Sequence, residues 1–456
     1  MYKLAIIGGG PAGYSAAAKA IKNNLSVVLF EQKAIGGVCL NEGCIPTKTL
    51  LFSAKQYYNA KNAEKYGVSA ENVKYDWNKI QQRKAKTIRK LQAGIRQKLK
   101  SDLCEIVTGQ AIVKSYKPDL IQIEANGQIY ESENLLVCSG SKNFVPPIEG
   151  IDSEYVIDST QALNIQEVPQ NIIIVGGGVI GMEFATLFHE LGSKVSVVEA
   201  MPKILANVDD DISNYLQVKY MKEGVAFYTD TKVIKIQGNK VICNNEQSDV
   251  VLEGDKILVC VGRRPNTEGL DALNLRYEGR GVWINEQCQT SLPNVYAAGD
   301  VTGTIMLAHV AVRQAEVAVG NILKPNIDKV TYFDIPSVVY SNPEIAMIGS
   351  MPKDDCDVDI RQIPMTYSGR FVAENEGEMG LCKIAYLTHI DNTIIGAQMI
   401  GNSSSEIISS LSYAIHERIP VYRLESIVFP HPTVSEIIKE NIDSKLNTQS
   451  EGGCCI

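Results

Sequence analysis

The chain has 456 residues, 45% of them hydrophobic and 21% charged, a balance that excludes a disordered, collagen-like or coiled-coil protein. With 44 Lys and Arg against 52 Asp and Glu, the net charge of −8 argues against nucleic-acid and anionic-membrane partners. Its length suits about three domains, and no uncharged apolar run is long enough to span a bilayer.

Leu4 to Ile7 is a short apolar run that predicts a strand. Gly8-Gly9-Gly10-Pro11-Ala12-Gly13 follows and opens a helix, and Ser26 to Phe30 predicts a second strand that ends in Glu31. The fifteen uncharged residues after Lys3 imitate a secretion signal, but the glycines and Pro11 interrupt them in a pattern of their own. Eleven cysteines, odd in number and dispersed, do not form a secreted disulfide framework, so a reducing, cytoplasmic location is expected.

Soon after Glu31 comes Gly36-Gly37-Val38-Cys39-Leu40-Asn41-Glu42-Gly43-Cys44-Ile45-Pro46-Thr47-Lys48. A metal site would need two more Cys or His ligands nearby, and there are none, so no metal is expected. The remaining readings are two inert thiols or a redox disulfide closed across one helical turn. The neighbouring nucleotide motif favours the second, because it gives the pair an electron partner, and a helix N-terminus lowers a thiol pKa.

Trp77 to Leu103 reads as a helix with nine Lys or Arg between Lys79 and Lys100. In an acidic chain this is a solvated face on an amphipathic helix rather than a nucleic-acid contact. Further on, the first pattern recurs. Ile172 to Val175 leads into Gly176-Gly177-Gly178-Val179-Ile180-Gly181, and Lys194 to Val198 ends in Glu199. Each of Gly8, Gly10, Gly13 and Glu31 has its counterpart 168 residues later, in Gly176, Gly178, Gly181 and Glu199.

The physics of the pattern is specific. The first Gly allows a tight strand-to-helix turn, the second lets backbone approach a pyrophosphate, and the third lets helix and strand pack closely. The helix N-terminus offers N–H groups to the phosphates, and the acid accepts from ribose hydroxyls. Two copies imply two dinucleotides, for which FAD and a pyridine nucleotide fit. Glu199 repels a 2′-phosphate, no Arg lies within the next ten residues, and Lys203 is the one cation near it, so NAD is expected rather than NADP.

Asp300 ends the run Val295 to Ala298 and is expected to cap a helix. Of five histidines, His189 reads as structural. His431 stands between Pro430 and Pro432, with Glu436 five residues on at the start of a helix expected over 434–441. A histidine whose tautomer a carboxylate can fix is a candidate general acid–base.

The segment GGVCLNEGCIPTK resembles the active-site segment of the pyridine nucleotide–disulfide oxidoreductases, most closely that of the dihydrolipoamide dehydrogenases. Further resemblances are Val261 to Asn266, Ala297 to Asp300, the segment from Pro336 to Glu344, and His431 to Glu436, so the likeness runs to about Ile442. It implies an α/β fold with two Rossmann-like domains, for FAD and NAD, and an α/β dimerisation domain. The expected division is 1–142 with 265–328 for FAD, 143–264 for NAD, 329–446 for the interface, and a tail over 447–456.

The resemblance also implies residue roles. Cys39 is the interchange sulfur and Cys44 the sulfur nearer the flavin. Lys48 and Glu183 lie side by side near the flavin's reactive ring. Flavin contacts fall at Ala111, Asp300 and Ala308, and nicotinamide-cofactor contacts at Gly262 and Val233. His431, oriented by Glu436, serves the cysteines of the other subunit of a homodimer. The implied activity is oxidation of dihydrolipoamide on a lipoylated carrier protein, of a 2-oxo acid dehydrogenase or glycine cleavage system, with reduction of NAD⁺.

Neighbouring readings have discriminating features. A glutathione-reductase-like enzyme would prefer NADP, against Glu199. Mercuric reductases lack the His-Pro-Thr…Glu constellation, and soluble transhydrogenases lack one paired cysteine. A flavoprotein scaffold without turnover would not need Cys39, Cys44, His431 and Glu436 together. The terminal Cys454-Cys455 resembles the extra thiols of some thioredoxin and mercuric reductases, beside the plainer reading of a tail without function.

Overall fold

The computed structural model describes residues 1–245, 249–352, 355–389 and 392–444, so Cys454 and Cys455 lie outside the described residues. The first stretch runs β1 (Tyr2–Ile7), α1 (Pro11–Lys22), β2 (Val27–Glu31), α2 (Gly37–Glu42), α3 (Cys44–Lys61), α4 (Trp77–Lys98), β3 (Cys104–Thr108), β4 (Ile112–Lys117), β5 (Leu120–Ala125) and β6 (Gln128–Val137). Its sheet has the order β3-β2-β1-β6-β5-β4. β1 and β2 are apolar nearly throughout because both faces of their parallel part are covered, one by α1 and the other by residues of β4 and β5 such as Val113, Ile121 and Ile123. β5 alternates, burying Ile121, Ile123 and Ala125, because it belongs to an antiparallel extension.

The second stretch comprises β7 (Ser141–Asn143), β8 (Val156–Asp158), α5 (Ser159–Ala162), β9 (Asn171–Val175), α6 (Val179–Glu190), β10 (Lys194–Val198), α7 (Asp210–Lys222), β11 (Ala226–Tyr228), β12 (Lys232–Gln237), β13 (Lys240–Asn244), β14 (Asp249–Glu253), β15 (Lys256–Val259) and β16 (Arg263–Pro265). A parallel sheet β11-β10-β9-β15-β8 repeats the logic of the first, and β12-β13-β14 form a separate antiparallel sheet. β7 and β16 pair antiparallel, so the chain enters and leaves this region through one two-stranded link.

After β17 (Tyr277–Glu278) and β18 (Gly281–Val282), β19 (Val295–Ala297) returns to the first sheet beside β6, and α8 (Ala308–Leu323) packs on α1. Ala16, Ala17 and Ala20 are fully buried in that contact, where small side chains let two helices approach closely.

The last region contains β20 (Ser337–Val339), β21 (Ile345–Gly349), β22 (Val358–Ile363), α9 (Gly369–Glu374), β23 (Leu381–Leu387), β24 (Thr393–Ile400), α10 (Ser404–His416), α11 (Val421–Glu425) and α12 (Ile437–Asp443). Its antiparallel sheet, β20-β21-β24-β23-β22, buries Ile384, Tyr386, Ala397 and Met399 against α10 and α12. Among the described residues, no helix is long and apolar enough to cross a membrane.

Three local expectations change. The basic helix stops at Lys98, short of the expected Leu103, and its face is not wholly solvated. Lys84 is buried and donates to the Leu163 carbonyl at 2.5 Å and to Asn164 Oδ1 at 2.9 Å, and burial pushes its ammonium down to about 8. Asp300 does not cap a long helix: it begins a 3₁₀ turn over Asp300–Thr302, Gly303 at φ +68° ends that turn, and α8 starts only at Ala308. The helix expected over 434–441 is a 3₁₀ turn, Val434–Glu436, running into α12.

Candidate active site

The two glycine loops are built alike. A Cβ on Gly8 would stand 2.1 Å from the Cys138 carbonyl oxygen, and one on Gly176 2.6 Å from that of Cys260, so only hydrogen fits. A Cβ on Gly13 would meet the Gly8 oxygen at 1.8 Å, and one on Gly181 the Gly176 oxygen at 1.9 Å. At the second glycine the space is open: Gly178 has nothing within 4 Å, and Gly10 has only the Gly37 Cα at 3.8 Å. Each acid closes its loop. Glu31 Oε2 accepts from Gly9 N–H at 2.9 Å, and Glu199 Oε2 from Gly177 N–H at 2.6 Å. The other oxygen of each takes a backbone N–H two residues on, at Lys33 and Met201, both at 2.8 Å. Two open-fronted cradles with a fixed acid at the rim fit two dinucleotides.

Lys203, the cation nearest Glu199 in sequence, is engaged within the protein. It donates to the Val208 carbonyl at 2.6 Å and pairs with Asp210 at 2.5 Å.

The cysteine pair hangs on the first cradle. Gly36 N–H donates to the Gly9 carbonyl at 2.8 Å, and Gly37, at φ +59°, lies so close that a Cβ there would be 2.6 Å from the Gly10 Cα. α2 starts from this contact. Cys39 and Cys44 are disulfide-bonded, with Cα atoms 4.6 Å apart. The expected geometry is corrected in one respect: α2 ends at Glu42 and α3 begins at Cys44, so the bridge spans a break between two helices, not one helical turn.

Lys48 lies one turn after Cys44 on α3, and so on the same face. Its Nζ reaches Glu183 of α6 at 2.9 and 2.8 Å, with the carboxylate buried. Desolvation of this kind is tolerable for a charge only when it is paired. The pair therefore joins the helix behind the disulfide to the helix of the second cradle.

His431 and Glu436 are joined at 2.9 Å through Nδ1 and Oε1. Glu436 Oε2 accepts from Thr433 N–H at 2.8 Å, so the local turn holds the carboxylate in place. That N–H first, and His431 second, hold the Glu436 carboxyl below its ordinary range. The His431 side chain is 79% exposed within one chain.

The remaining expected contacts lie on separate elements. Asp300 accepts from the Ser141 hydroxyl at 2.5 Å, and Arg263 fixes that serine by bonds to its hydroxyl and its carbonyl, both 2.8 Å. Ala111 is buried, and Ala308 is the first residue of α8. Gly262 takes φ +111° with open space beside its Cα. Val233 packs against the core containing Val175 and Val198. His189 is structural, bonded to Glu223 at 2.9 Å, and His309 is held by the Pro336 carbonyl at 2.8 Å.

Sequence reasoning overlooked Tyr340, whose ring lies 4.5 Å from Lys48 Nζ, and Ser141 and Arg263 beneath Asp300. Arg263 and Tyr340 fall inside segments that carry the resemblance, but the partners of all three lie more than a hundred residues away, so no spacing marks their roles.

Two dinucleotide cradles, the first carrying a disulfide and tied by an ion pair to the helix of the second, define a flavin–pyridine nucleotide disulfide oxidoreductase. The chain belongs to the pyridine nucleotide-disulphide oxidoreductase family: the family's model matches residues 2–315, and that of its dimerisation domain matches residues 335–442. FAD and NAD are the family's cofactors and those of this chain. Among curated relatives, a dihydrolipoyl dehydrogenase of Mycoplasma genitalium is 35% identical over 450 residues, covering 96% of this chain and 97% of that one. One of Acholeplasma laidlawii is 40% identical over 336 residues, 73% of this chain and 99% of that one. The crystal structure of LpdA from Mycobacterium tuberculosis superposes with a TM-score of 0.89 at 25% identity, covering 98% of this chain and all of that one.

Proposed function

We propose that the chain is an FAD-dependent dihydrolipoyl dehydrogenase, reoxidising dihydrolipoamide on a lipoylated carrier protein and reducing NAD⁺. The observation that carries this reading is the bonded Cys39–Cys44 pair, seated on the first cradle by Gly36 and Gly37 and linked to the helix of the second by Lys48 and Glu183. The relatives named above support the substrate, and Glu199, with Lys203 turned to Asp210, supports NAD.

The chain's own groups supply the thiol chemistry. His431, its tautomer fixed by Glu436, takes the proton of one substrate thiol. The thiolate attacks Cys39 Sγ, breaking the bond to Cys44 and leaving Cys44 as thiolate. The second substrate thiol attacks the first substrate sulfur, passing its proton to the departing Cys39, which is released as the thiol, and lipoamide closes. Substrate is oxidised by two electrons, and the protein disulfide is reduced by the same two. FAD, when bound, supplies the route by which these electrons leave as hydride to NAD⁺. The positive charge of Lys48 favours negative charge accumulating beside Cys44.

In this reading residues 1–142 and 265–328 hold FAD, 143–264 hold NAD, and 329–446 form a homodimer interface. Exposed within one chain, His431 then meets the cysteine pair of the other subunit. The carriers are lipoylated domains of 2-oxo acid dehydrogenase or glycine cleavage systems, which pull-down of lipoylated proteins would identify.

The test is a steady-state assay of the FAD-loaded enzyme. Dihydrolipoamide with NAD⁺ should turn over, whereas preference for NADP⁺, or efficient reduction of glutathione disulfide, would overturn the assignment. The shared site has its own test. Cys44→Ser and His431→Gln chains, refolded together with FAD in equal amounts, pair at random into roughly half heterodimers. One site in each is then intact, so activity should recover to about 25% of wild type. Mass-tagged heterodimers without recovery would exclude the arrangement.

A further inference from the structure

The helix of the second cradle carries more than its glycines. α6 presents Glu183, Thr186 and Glu190 at steps of three and four residues, which stack on one face. Glu183 and Glu190 bond the segment Tyr340–Ser341–Asn342, which follows β20, and Thr186 reaches it through Tyr220 of α7. Tyr340 N–H donates to Glu183 Oε1 at 3.3 Å. Asn342 N–H donates to the Tyr220 hydroxyl at 3.1 Å, and that hydroxyl lies 2.7 Å from Thr186 Oγ1. Asn342 Nδ2 donates to Glu190 Oε1 at 2.8 Å. The proton directions are consistent. Thr186 gives its hydrogen to the Met182 carbonyl at 2.8 Å, so Tyr220 donates to Thr186 and accepts from Asn342.

The segment is therefore a strap attached to α6 at Glu183 and Glu190 and to α7 at Tyr220. Between them Ser341 is buried and donates to the Pro343 carbonyl at 2.6 Å, which stiffens the strap internally. Its leading residue reaches the ion pair twice: the Tyr340 backbone bonds Glu183, and the Tyr340 ring lies 4.5 Å from Lys48 Nζ. At the trailing end Glu190 is 4% exposed, and its Oε2 has no hydrogen-bond partner among the described residues. A buried carboxyl is costly unless hydrogen-bonded, so the Asn342 amide is not a replaceable surface contact. Burial pushes this carboxyl up to about 7, opposed first by the Asn342 hydrogen bond and then by Lys55 of α3 and Lys219 of α7, with Glu223 adding to the rise.

We propose that Asn342 is a positioning residue: anchored on Glu190 and Tyr220, it holds Tyr340 against the Lys48–Glu183 pair and so sets the electrostatics around Cys44 and the flavin. The inference rests on the function proposed above for the reaction, but not for the flavin potential. Without the side-chain anchor, the strap keeps only its two backbone N–H bonds, to Glu183 and to Tyr220, and can shift along α6. The Tyr340 ring is then held less firmly against Lys48, and its N–H less firmly against Glu183, which weakens the support for a reduced, anionic flavin and an adjacent thiolate.

The test uses the FAD-loaded Asn342→Ala enzyme. The thiolate-to-flavin absorption band of the two-electron-reduced form should fall by about half or more, and the flavin potential should move lower. Turnover number with dihydrolipoamide should fall about five- to tenfold while KM for NAD⁺ changes less than about twofold. Glu190→Ala should cause the same losses, and the double variant should lose no more than either alone, because both break one bond. An unchanged band and potential in fully loaded Asn342→Ala would overturn the proposal even if turnover fell, and so would additive losses in the double variant. If Asn342→Ala does not retain FAD, the same criteria apply to Asn342→Asp, which keeps the size but loses the donor facing Glu190. Wild-type enzyme without dihydrolipoamide activity would defeat the proposed function alone, since potentials measured by dithionite titration still decide the strap.

Discussion

The two cradles share a blueprint and differ in what fills the ground in front of them. In the first, the chain after Glu31 comes back to the Gly9 carbonyl through Gly36, and Gly37 then leans on Gly10 and launches α2 toward the disulfide. In the second, the chain after Glu199 returns to the equivalent Gly177 carbonyl through Leu205, and nothing stands within 4 Å of Gly178. The helices differ in the same sense. α1 has Ser15 and Lys22 where α6 has Glu183 and Glu190, and the two glutamates take Lys48 and Asn342 as partners. One phosphate-binding device has thus been set to two uses. The first carries the segment of the redox pair against its second glycine, and the second has nothing beside its own.

The comparison breaks most sharply at the disulfide. Cys44→Ser should cut dihydrolipoamide turnover by roughly a thousandfold or more, because no sulfur remains to complete the exchange. NADH binding at the second cradle, followed by fluorescence titration, should be unchanged. If NADH binding collapsed with it, the cradles would not be separable units.

Glu199→Arg should reach only the second cradle. Removing the acceptor and the repulsion together should shift the NADP⁺ to NAD⁺ ratio of kcat/KM by about two orders of magnitude. FAD content should stay at wild-type level, and a loss of flavin would mean that the acids at 31 and 199 have been assigned the wrong way round.

Gly181→Ala and Gly178→Ala separate packing from ligand contact within one loop. The first forces a Cβ toward the Gly176 oxygen at 1.9 Å, so NAD⁺ affinity should fall at least about tenfold and Tm should drop. The second meets only open space, so KM for NAD⁺ should rise with Tm unchanged. Equal thermal losses in the two variants would refute the open cradle.

The smallest effect tests the contrast between α1 and α6. The Glu190 carboxyl sits at about 7 in the folded protein, raised from 4.5 by burial. A raised carboxyl favours folding while protonated, so its contribution is complete below the unfolded value and is lost as pH rises through about 7. Glu190→Gln cannot ionise. Its stability relative to wild type should improve by about 1 to 2 kcal/mol between pH 5 and pH 8, measured by urea unfolding of the apoprotein. No relative gain would mean that Lys55 or Lys219 neutralises the carboxylate more fully than its burial suggests.

Much of the molecule was legible before the chain was folded. The doubled glycine pattern, with an acid after each second strand, gave two parallel α/β units, since strand, turn, helix and strand are contiguous in sequence. Cys39 and Cys44 were legible for the same reason, and so were His431 and Glu436, which one short turn brings together. Local errors arose where a neighbour from elsewhere in the chain decided the outcome. Lys84 is buried because the Leu163 carbonyl lies behind it, and Asp300 serves Ser141 rather than a helix.

What the sequence determined by itself is the set of short-range devices: two cradles, a cysteine pair and a histidine–carboxylate turn. Each depends on backbone conformation and on side chains within a few residues, so spacing alone encodes it. The tertiary structure decided how these devices meet. It brought Lys48 to Glu183 across 135 residues and laid the Tyr340–Asn342 strap along α6. Contacts of that reach depend on how whole sheets and helices pack, and a single residue spacing carries no record of which faces will be buried against each other.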